Sequence, residues 1–421
     1  MVARPELLTP PSPAAAGRAF PATSPFRPLR HRNFRLLWLG TVVSNSGDWM
    51  DQVALNWLVF MLTGSPVYLA LLNLCRSGPI LLFTLLGGAI ADRVERRRLM
   101  MISQTGAMLT AIALGGIALT GGTVWLVLAL ATLRGVLMSV NLPARQALIS
   151  ELVPREDLTA AISLNSATLN LSRVIGPAIG GVLIASVGIA AAFWLNAASF
   201  LAVLIGLACM SDLPPRKLAP PVPVWRSVGE GLAFVARNPI LRGLLVLALV
   251  PLVLGMSYQP MLAVFAEDVL GAGAAGLGLL TSAAGLGAVL GALLVGAVGG
   301  NLRRGRLMFA GLALFGSTLL LFANARALGL AALALLVVGM GSSLYQAINN
   351  ALLQEHAPDA LRGRVMSMLF LTRGMIPLGA MAAGIGATLV GAPAMLSLFA
   401  GLLLVLVALS WLLNPTVREL A

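Results

Sequence analysis

The sequence predicts an all-α integral membrane protein with twelve transmembrane helices arranged as two parallel six-helix repeats. The chain has 421 residues, of which 58% are hydrophobic and only 10% charged, and its mean hydropathy is +0.93. Soluble domains carry about 25% charged residues, so this composition excludes a soluble fold. A helix needs about 20 apolar residues to cross a bilayer, and about twelve such stretches follow one another along the chain.

The predicted helices are separated by short polar turns. Hydropathy places them at 34–61, 67–91, 99–120, 124–146, 158–186, 190–211, 240–266, 273–298, 307–324, 327–350, 364–390 and 394–413. Most of the arginines between helices fall on one side of the membrane, whereas the links on the other side carry almost none. By the positive-inside rule, both termini are expected in the cytoplasm. We also expect the protein to lie in the cell inner membrane.

The net charge of +13 would suggest a nucleic-acid partner in a soluble protein. Here the basic residues flank membrane segments, where they meet anionic lipid, so the bilayer is the predicted partner and nucleic acid is not. Two cysteines and two histidines give no metal-ligand spacing, and no catalytic motif is present in the sequence. We therefore expect no metal, no cofactor and no enzymatic activity, and we expect a monomer.

Composition divides the chain into five parts. Residues 1–30 are rich in Pro, Ala and Arg and are predicted to be a disordered cytosolic tail. Residues 31–211 and 240–414 are the two six-helix bundles, and 415–421 is a second cytosolic tail. The linker 212–239 begins Pro-rich and ends in Trp225–Asn238, whose apolar spacing predicts an amphipathic helix on the inner membrane face. The alternative is an ordinary cytosolic linker helix.

The two halves repeat each other. Ala147–Pro154 matches Ala351–Pro358, and Arg173-x-x-x-Pro177 matches Arg373-x-x-x-Pro377. Each match joins helices six apart, and six crossings return the chain to its starting side. Parallel repeats of this kind place a binding site between the halves near the midplane of the membrane.

Two aspartates interrupt the first predicted helix. A charge at the bilayer centre costs about 2.5–3.5 kcal/mol, so Asp48 and Asp51 require a partner or a water-filled cavity. Arg76 and Arg134 lie at a similar depth, roughly 15 Å from the outer surface at about 1.5 Å per residue. One interpretation is proton coupling by these four residues, with Asp48 favoured because it is closer to the midplane. The alternative is a structural ion pair, such as Asp51 with Arg76, that holds the first half together.

Other polar residues at mid-helix positions are candidates for a substrate cavity. Arg173 and Arg373 occupy equivalent positions of the two halves, and the intramembrane arginines outnumber the aspartates. This excess of positive charge favours an anionic or strongly hydrogen-bonding ligand. The alternative is that the arginines bind helix-end carbonyls or extend to the membrane surface. The predicted cavity residues are Asn45, Gln52, Arg173, Arg373, Tyr258 and Tyr345.

Three motifs resemble those of the major facilitator superfamily. The loop after the second helix resembles motif A, with Gly88, Asp92, Arg93, Arg96 and Arg97, although Glu95 stands where a glycine is usual. Arg134-Gly135 resembles the arginine of motif B. The fifth helix resembles the end of the antiporter motif C, with Gly176, Pro177, Gly180 and Gly181. The segments Asn33–Trp38, Gly47–Met50 and Leu62–Pro66 resemble the enterobactin-exporter and macrolide-efflux branch.

This resemblance implies a secondary active transporter that works by alternating access. Its implied activity is export of a small amphipathic molecule (a drug, a siderophore or a related metabolite) in exchange for protons. Motif A would act as a cytosolic gate, and the bent, glycine-rich motif C would seal one side of the cavity. The alternatives are a small-solute or lysolipid transporter of the same fold, and a non-transporting membrane sensor. The substrate itself is not predicted.

Overall fold

A computed structural model describes residues 25–91, 95–211, 235, 238–298, 303–358 and 361–420. These residues are helical almost throughout. The long helices are α1 (Arg32–Thr63), α2 (Pro66–Ala91), α3 (Arg96–Thr120), α4 (Val124–Leu152), α5 (Arg155–Ser186), α6 (Ile189–Ala208), α7 (Pro239–Val269), α8 (Gly273–Val298), α9 (Arg304–Asn324), α10 (Leu328–His356), α11 (Arg362–Arg373 followed by Ile376–Val390) and α12 (Ala392–Leu413).

Ten of the described helices, α3 to α12, are long and apolar enough to cross a membrane. Helix α1 is not among them because its arginines, its two aspartates and the polar residues around them lower its hydropathy. The all-α membrane fold is therefore confirmed, whereas a count of twelve crossings stays a prediction.

The two halves use the same packing pattern. In the first half α2 packs along α4 and α3 packs on α6; in the second half α8 packs along α10 and α9 packs on α12. The halves meet at two further pairs, α5 with α8 and α2 with α11. Each packed pair of the first half has a counterpart in the second half whose helix numbers are higher by six. The packing therefore follows the internal repeat that the sequence indicates.

Helices α7 and α11 are irregular. Helix α7 widens into π-helical turns at Pro251–Gly255 and Phe265–Val269. Helix α11 breaks between Arg373 and Ile376, just before Pro377, because proline has no N–H to continue the hydrogen-bond ladder. Helix α11 therefore consists of two separate helical segments.

An ion-paired cluster joins the start of the described chain to the first turn of α5. Arg27–Arg30 form a short turn at the end of the predicted N-terminal tail, of which residues 1–24 lie outside the described part. The buried Asp157 carboxylate accepts from Arg27 Nε at 2.9 Å, Arg30 Nη2 at 3.0 Å and His31 Nε2 at 2.8 Å. The exposed Glu156 binds Arg27 at 3.0 Å. The predicted linker helix Trp225–Asn238 falls almost entirely outside the described residues.

Asp157 should make stability depend on pH in the acid range. Its helix has 32 residues, about 48 Å, so its first turn extends beyond a hydrocarbon core of about 30 Å. The hydrogen bond from His31 lowers the pKa of the Asp157 carboxyl; burial opposes this shift, and the charges of Arg27 and Arg30 add to it. A carboxyl whose pKa falls on folding stabilises the protein above its unfolded pKa, about 3.9, and loses that contribution as pH falls through the lowered value.

We expect Asp157→Asn to lower the melting temperature of the detergent-solubilised protein by a few degrees at pH 7. The difference from the wild type should shrink as the pH falls below about 4, because the wild-type carboxyl is then protonated as well. The matched control is Glu156→Gln, which removes the exposed neighbouring carboxylate. A constant difference between wild type and Asp157→Asn at all pH values would contradict this account.

Candidate functional site

Both predicted aspartates of α1 bind one arginine of α4. Arg134 Nη1 donates to Asp51 Oδ2 at 2.6 Å, and Arg134 Nη2 donates to Asp48 Oδ1 at 2.9 Å. The two aspartates differ in environment: the side chain of Asp51 is 1% exposed, whereas that of Asp48 is 38% exposed. We refer to Asp48, Asp51 and Arg134 as the carboxylate–arginine triad.

Neighbouring side chains hold the buried part of the triad in place. Asn196 of α6 donates from Nδ2 to Asp51 Oδ1 at 3.0 Å, and Ser199 binds the Asn196 amide oxygen at 3.0 Å. The guanidinium carbon of Arg134 lies 5.4 Å from the centre of the Phe200 ring, a cation–π contact. Both oxygens of Asp51 therefore have protein donors, and one face of the Arg134 guanidinium is covered by an aromatic ring.

The predicted Asp51–Arg76 pair is not formed; Asp51 is bound by Arg134 instead. Helix α1 packs mainly on α5 and α6, and α2 packs closely along α4. At this contact a Cβ on Gly135 would lie 2.6 Å from the Arg76 carbonyl oxygen, so only glycine fits there. Arg134, next to this contact, reaches α1. Arg76 lines the same cavity and is within electrostatic range of both aspartates.

Asp48 and Arg134 of the triad line a cavity of about 460 Å³ between the two halves, whereas the buried Asp51 lies behind them. This volume is in the range of pockets that hold drug-sized molecules. Asn45, Asp48, Gln52, Arg76 and Arg134 line it from the first half. The second half contributes Gln259 of α7 and Arg373, Ile376 and Pro377 of α11. Asn45, Gln52 and Arg373 thus line the same cavity as Asp48, Arg76 and Arg134.

Three other predicted residues lie elsewhere. Arg173 and Tyr258 line a second pocket of about 20 Å³, which shares Trp49, Gln52 and Gln259 with the large cavity. This volume is sufficient for about one water molecule. The Arg173 guanidinium lies 5.5 Å from the centre of the Trp49 ring. Tyr345 is 1% exposed and is absent from the cavity wall, because its ring stacks on Phe315 at 5.9 Å in the interior of the second half. The cavity role predicted for Tyr345 is therefore corrected.

Arg145, Gln104 and Asn141 line the cavity, and the sequence did not indicate any of them as site residues. From sequence, Arg145 is one of the arginines expected to set orientation, because it lies one residue before the predicted end of the fourth helix at 146. The helix continues to Leu152, so Arg145 lies within it and is 9% exposed. Its spacing of 11 residues from Arg134, close to three helical turns, is the signal that could have identified it.

Motif C makes close contacts between helices on one side of the cavity. A Cβ on Gly176 would lie 2.6 Å from the Ser46 carbonyl oxygen of α1. A Cβ on Gly181 would lie 2.8 Å from Cα of Gly278 on α8, and one on Gly180 would lie 3.1 Å from Cγ of Met50. Without side chains on these glycines, α5 can contact both α1 and the opposite half.

The cavity is closed at the face opposite the arginine-rich face, which we define as the one that carries Arg27, Arg30, Arg96 and Arg304. Gly181 is five residues before the end of α5, and α2 meets α11 at the same level, where a Cβ on Gly384 would lie 2.8 Å from the Ala70 Cβ. The cavity extends from the triad towards the arginine-rich face, past Arg145 and Gln104. The described lining residues of the cavity therefore extend towards the arginine-rich face.

We expect Gly181→Leu to oppose closure of the outer side, because no side chain fits between α5 and α8 at this position. The measurement uses Asn56→Cys, in the lining of the small pocket, in a protein whose Cys75 and Cys209 are replaced by serine. The introduced cysteine is labelled from outside with a membrane-impermeant maleimide. Gly181→Leu should increase labelling several-fold. Gly401→Leu is the matched control, since a Cβ at Gly401 meets nothing within 4 Å. Equal labelling in the two variants would contradict a sealing role.

Motif A is only partly described. Asp92 and Arg93 lie outside the described residues, and of Gly88 only the helical backbone at the end of α2 is described. Arg96 Nη1 donates to Glu151 at 2.6 Å and to the Ala147 carbonyl at 2.8 Å, and Arg97 Nη2 donates to the Ala208 carbonyl at 3.0 Å. Arg304 and Glu355 make the repeat-related ion pair in the second half at 2.9 Å.

Two repeated helical halves around a central cavity, with a charged triad in its wall, define a transporter of the major facilitator fold. A solved bacterial homologue of the lysosomal transporter Spinster, in an inward-facing and unoccupied conformation, matches 92% of this chain and 98% of its own with a TM-score of 0.74 at 15% identity. The family model for transmembrane secretion effectors matches residues 23–420. The chain belongs to this family of major facilitator proteins.

Three curated relatives align over most of their length. The staphyloferrin A transporter of Staphylococcus aureus is 29% identical over 82% of this chain and 87% of its own. The enterobactin exporter EntS of Shigella flexneri is 30% identical over 80% of both chains. The multidrug efflux pump Tap of Mycolicibacterium fortuitum is 29% identical over 83% of this chain and 88% of its own. The predicted class, a membrane exporter of small molecules in this superfamily, is confirmed.

Proposed function

We propose that this protein exports a small amphipathic molecule by alternating access, in exchange for protons that enter the cell. The observation that carries the proposal is that two carboxylates share one guanidinium in the wall of the central cavity. One carboxylate is sufficient to neutralise Arg134. The other can therefore take up and release a proton without leaving the guanidinium unpaired in the membrane.

The different environments of the two aspartates divide their roles. Asp51 is buried and receives hydrogen bonds from Arg134 and Asn196, so it acts as the permanent counter-ion. Asp48 faces the cavity with 38% of its side chain exposed, so water can carry protons to and from it. Asp48 is the proton carrier in this proposal. When Asp48 is protonated, it separates from Arg134.

Closure of the outer side completes the transport cycle. The inward-open form releases the proton and binds substrate from the cytosol. Reorientation separates α5 from α8 at the motif C glycines and α2 from α11, and substrate leaves outwards. Asp48 then takes a proton from outside before the cavity returns to the cytosol. The proposal includes the orientation with both termini in the cytoplasm, the inner membrane as location, and the monomer as the working unit.

Export is favoured over uptake by the motif C glycines and by the names of relatives that are exporters or efflux pumps. Uptake of a small solute or movement of a lysolipid by the same fold is the rival proposal. The test uses inverted membrane vesicles that contain the protein and whose lumen is made acidic relative to the medium. Enterobactin, staphyloferrin A or a drug substrate is added to the medium. Gradient-dependent accumulation that a protonophore abolishes supports export by antiport. Accumulation only in right-side-out vesicles contradicts it.

A further inference from the structure

Arg145 is a buried guanidinium in the cavity wall that binds no acid among the described residues. It is 9% exposed, and its Nη1 donates to the amide oxygen of Asn45 at 3.1 Å. Its Nε is buried without a hydrogen-bond partner in the described part of the chain. A buried arginine is normally paired with a carboxylate or fully hydrogen-bonded, because an uncompensated buried charge is costly.

The surroundings of Arg145 are polar and incompletely hydrogen-bonded. Asn45 Nδ2 and Gln104 Oε1 also have no partner within the described residues, and both residues are 5% exposed and line the same cavity. Three polar side chains from α1, α3 and α4 thus line the same cavity, each with an unused donor or acceptor. We call Asn45, Gln104 and Arg145 the cytosolic-side subsite.

This subsite is separate from the carboxylate–arginine triad. Arg145 follows Arg134 by 11 residues, so its Cα lies on the same helix face about 16 Å further along α4 towards the arginine-rich face. Its guanidinium binds Asn45, one turn from Asp48, and is within electrostatic range of Asp48. It makes no hydrogen bond to Asp48 or Asp51. A ligand group bound at Arg145 therefore does not displace either aspartate from Arg134.

We propose that Arg145 binds a carboxylate group of the transported molecule, which is accordingly an organic acid. This inference rests on the transport function proposed above and adds the class of substrate. The guanidinium fork matches a carboxylate in geometry and charge, and the Asn45 amide supplies a further donor beside it. Gln104 accepts from a hydroxyl or amide of the same molecule. Because the anion leaves the triad intact, the carrier can hold substrate while Asp48 is ionised, as antiport requires.

The test measures binding of citrate to the purified full-length protein in lipid nanodiscs by isothermal titration calorimetry. Triethyl citrate is the uncharged match, and Arg155→Gln is the charge-matched control, since Arg155 is exposed at the start of α5. We expect citrate to bind the wild type and Arg155→Gln equally, triethyl citrate not to bind, and Arg145→Gln to weaken citrate binding at least about tenfold, as expected for loss of a charge-assisted contact.

Asn45→Asp provides an independent variant. It is isosteric and places a carboxylate 3.1 Å from Arg145, so the protein supplies its own counter-ion and citrate binding should be lost. This variant decides the question if Arg145→Gln does not fold. Unchanged citrate binding in a folded Arg145→Gln or Asn45→Asp variant, equal binding of triethyl citrate, or no citrate binding by the wild type would overturn the proposal. Proton exchange by Asp48 is measured separately, so its absence would overturn antiport and not the anion subsite.

Discussion

Asp48→Asn is expected to abolish proton-coupled export while the protein stays folded. Asparagine has the shape of aspartate but cannot carry the titrating proton. Asp51 still binds Arg134 at 2.6 Å, so the guanidinium keeps a counter-ion. The exchanged side chain faces the cavity, where its 38% exposure allows water to hydrogen-bond the new amide. Folding should therefore change little, and the loss should fall on coupling.

The measurement for Asp48→Asn is substrate accumulation in inverted vesicles under an imposed pH gradient. We expect accumulation to fall to the level of vesicles without the protein. Substrate counterflow without a gradient is the control, and it should continue because the cavity and its other side chains are unchanged. Gradient-driven accumulation at the wild-type level would remove Asp48 from the coupling mechanism.

Arg134→Gln is expected to be the most destabilising single change in the cavity wall. It leaves Asp51, 1% exposed, without its counter-ion inside the membrane. Breaking a buried ion pair by removal of one partner costs about 3–5 kcal/mol, because the remaining charge is buried and unpaired. We expect a large fall in the melting temperature in detergent and a low yield of monodisperse protein.

A second change should restore the stability that Arg134→Gln removes. The double variant Asp51→Asn with Arg134→Gln replaces the pair by two neutral amides of similar shape, and Asp48 remains hydrated by the cavity. We expect its melting temperature to approach that of the wild type, with export absent. Arg76→Gln is the matched control for loss of a cavity arginine, and it should be mild, since Arg76 makes no hydrogen bond to an acid in the described residues. An Arg134→Gln variant with the same melting temperature as Arg76→Gln would contradict a stabilising role for the carboxylate–arginine triad.

The depth of the charged residues could be predicted from sequence, but their partners could not. Counting residues from helix ends placed Asp48, Asp51 and Arg134 at similar depth, and they meet. The choice of Arg134 over Arg76 depends on which helices are neighbours, and the sequence favoured α1 with α2 because they follow each other along the chain. In the structure α1 packs mainly on α5 and α6, while Gly135 lets α2 and α4 approach closely.

Arg145 shows why helix ends limit prediction of a membrane site. An arginine near the end of a predicted helix is normally interpreted as a residue that reaches the membrane surface and sets orientation. Hydropathy falls at the polar segment 141–146, so the fourth helix was predicted to end there, yet α4 continues to Leu152 with Pro143 inside it. Arg145 lies in the cavity because of the way α4 packs against its neighbouring helices. That packing cannot be read from a single sequence.

In the proposed cycle, protons move through Asp48 in the opposite direction to substrate. The most direct test is a proteoliposome assay with no imposed pH gradient, in which enterobactin or staphyloferrin A is added on one side and lumenal pH is followed with a trapped dye. We predict proton movement opposite to the substrate in the wild type and none in Asp48→Asn. Substrate movement by the wild type without any accompanying proton movement would contradict the account.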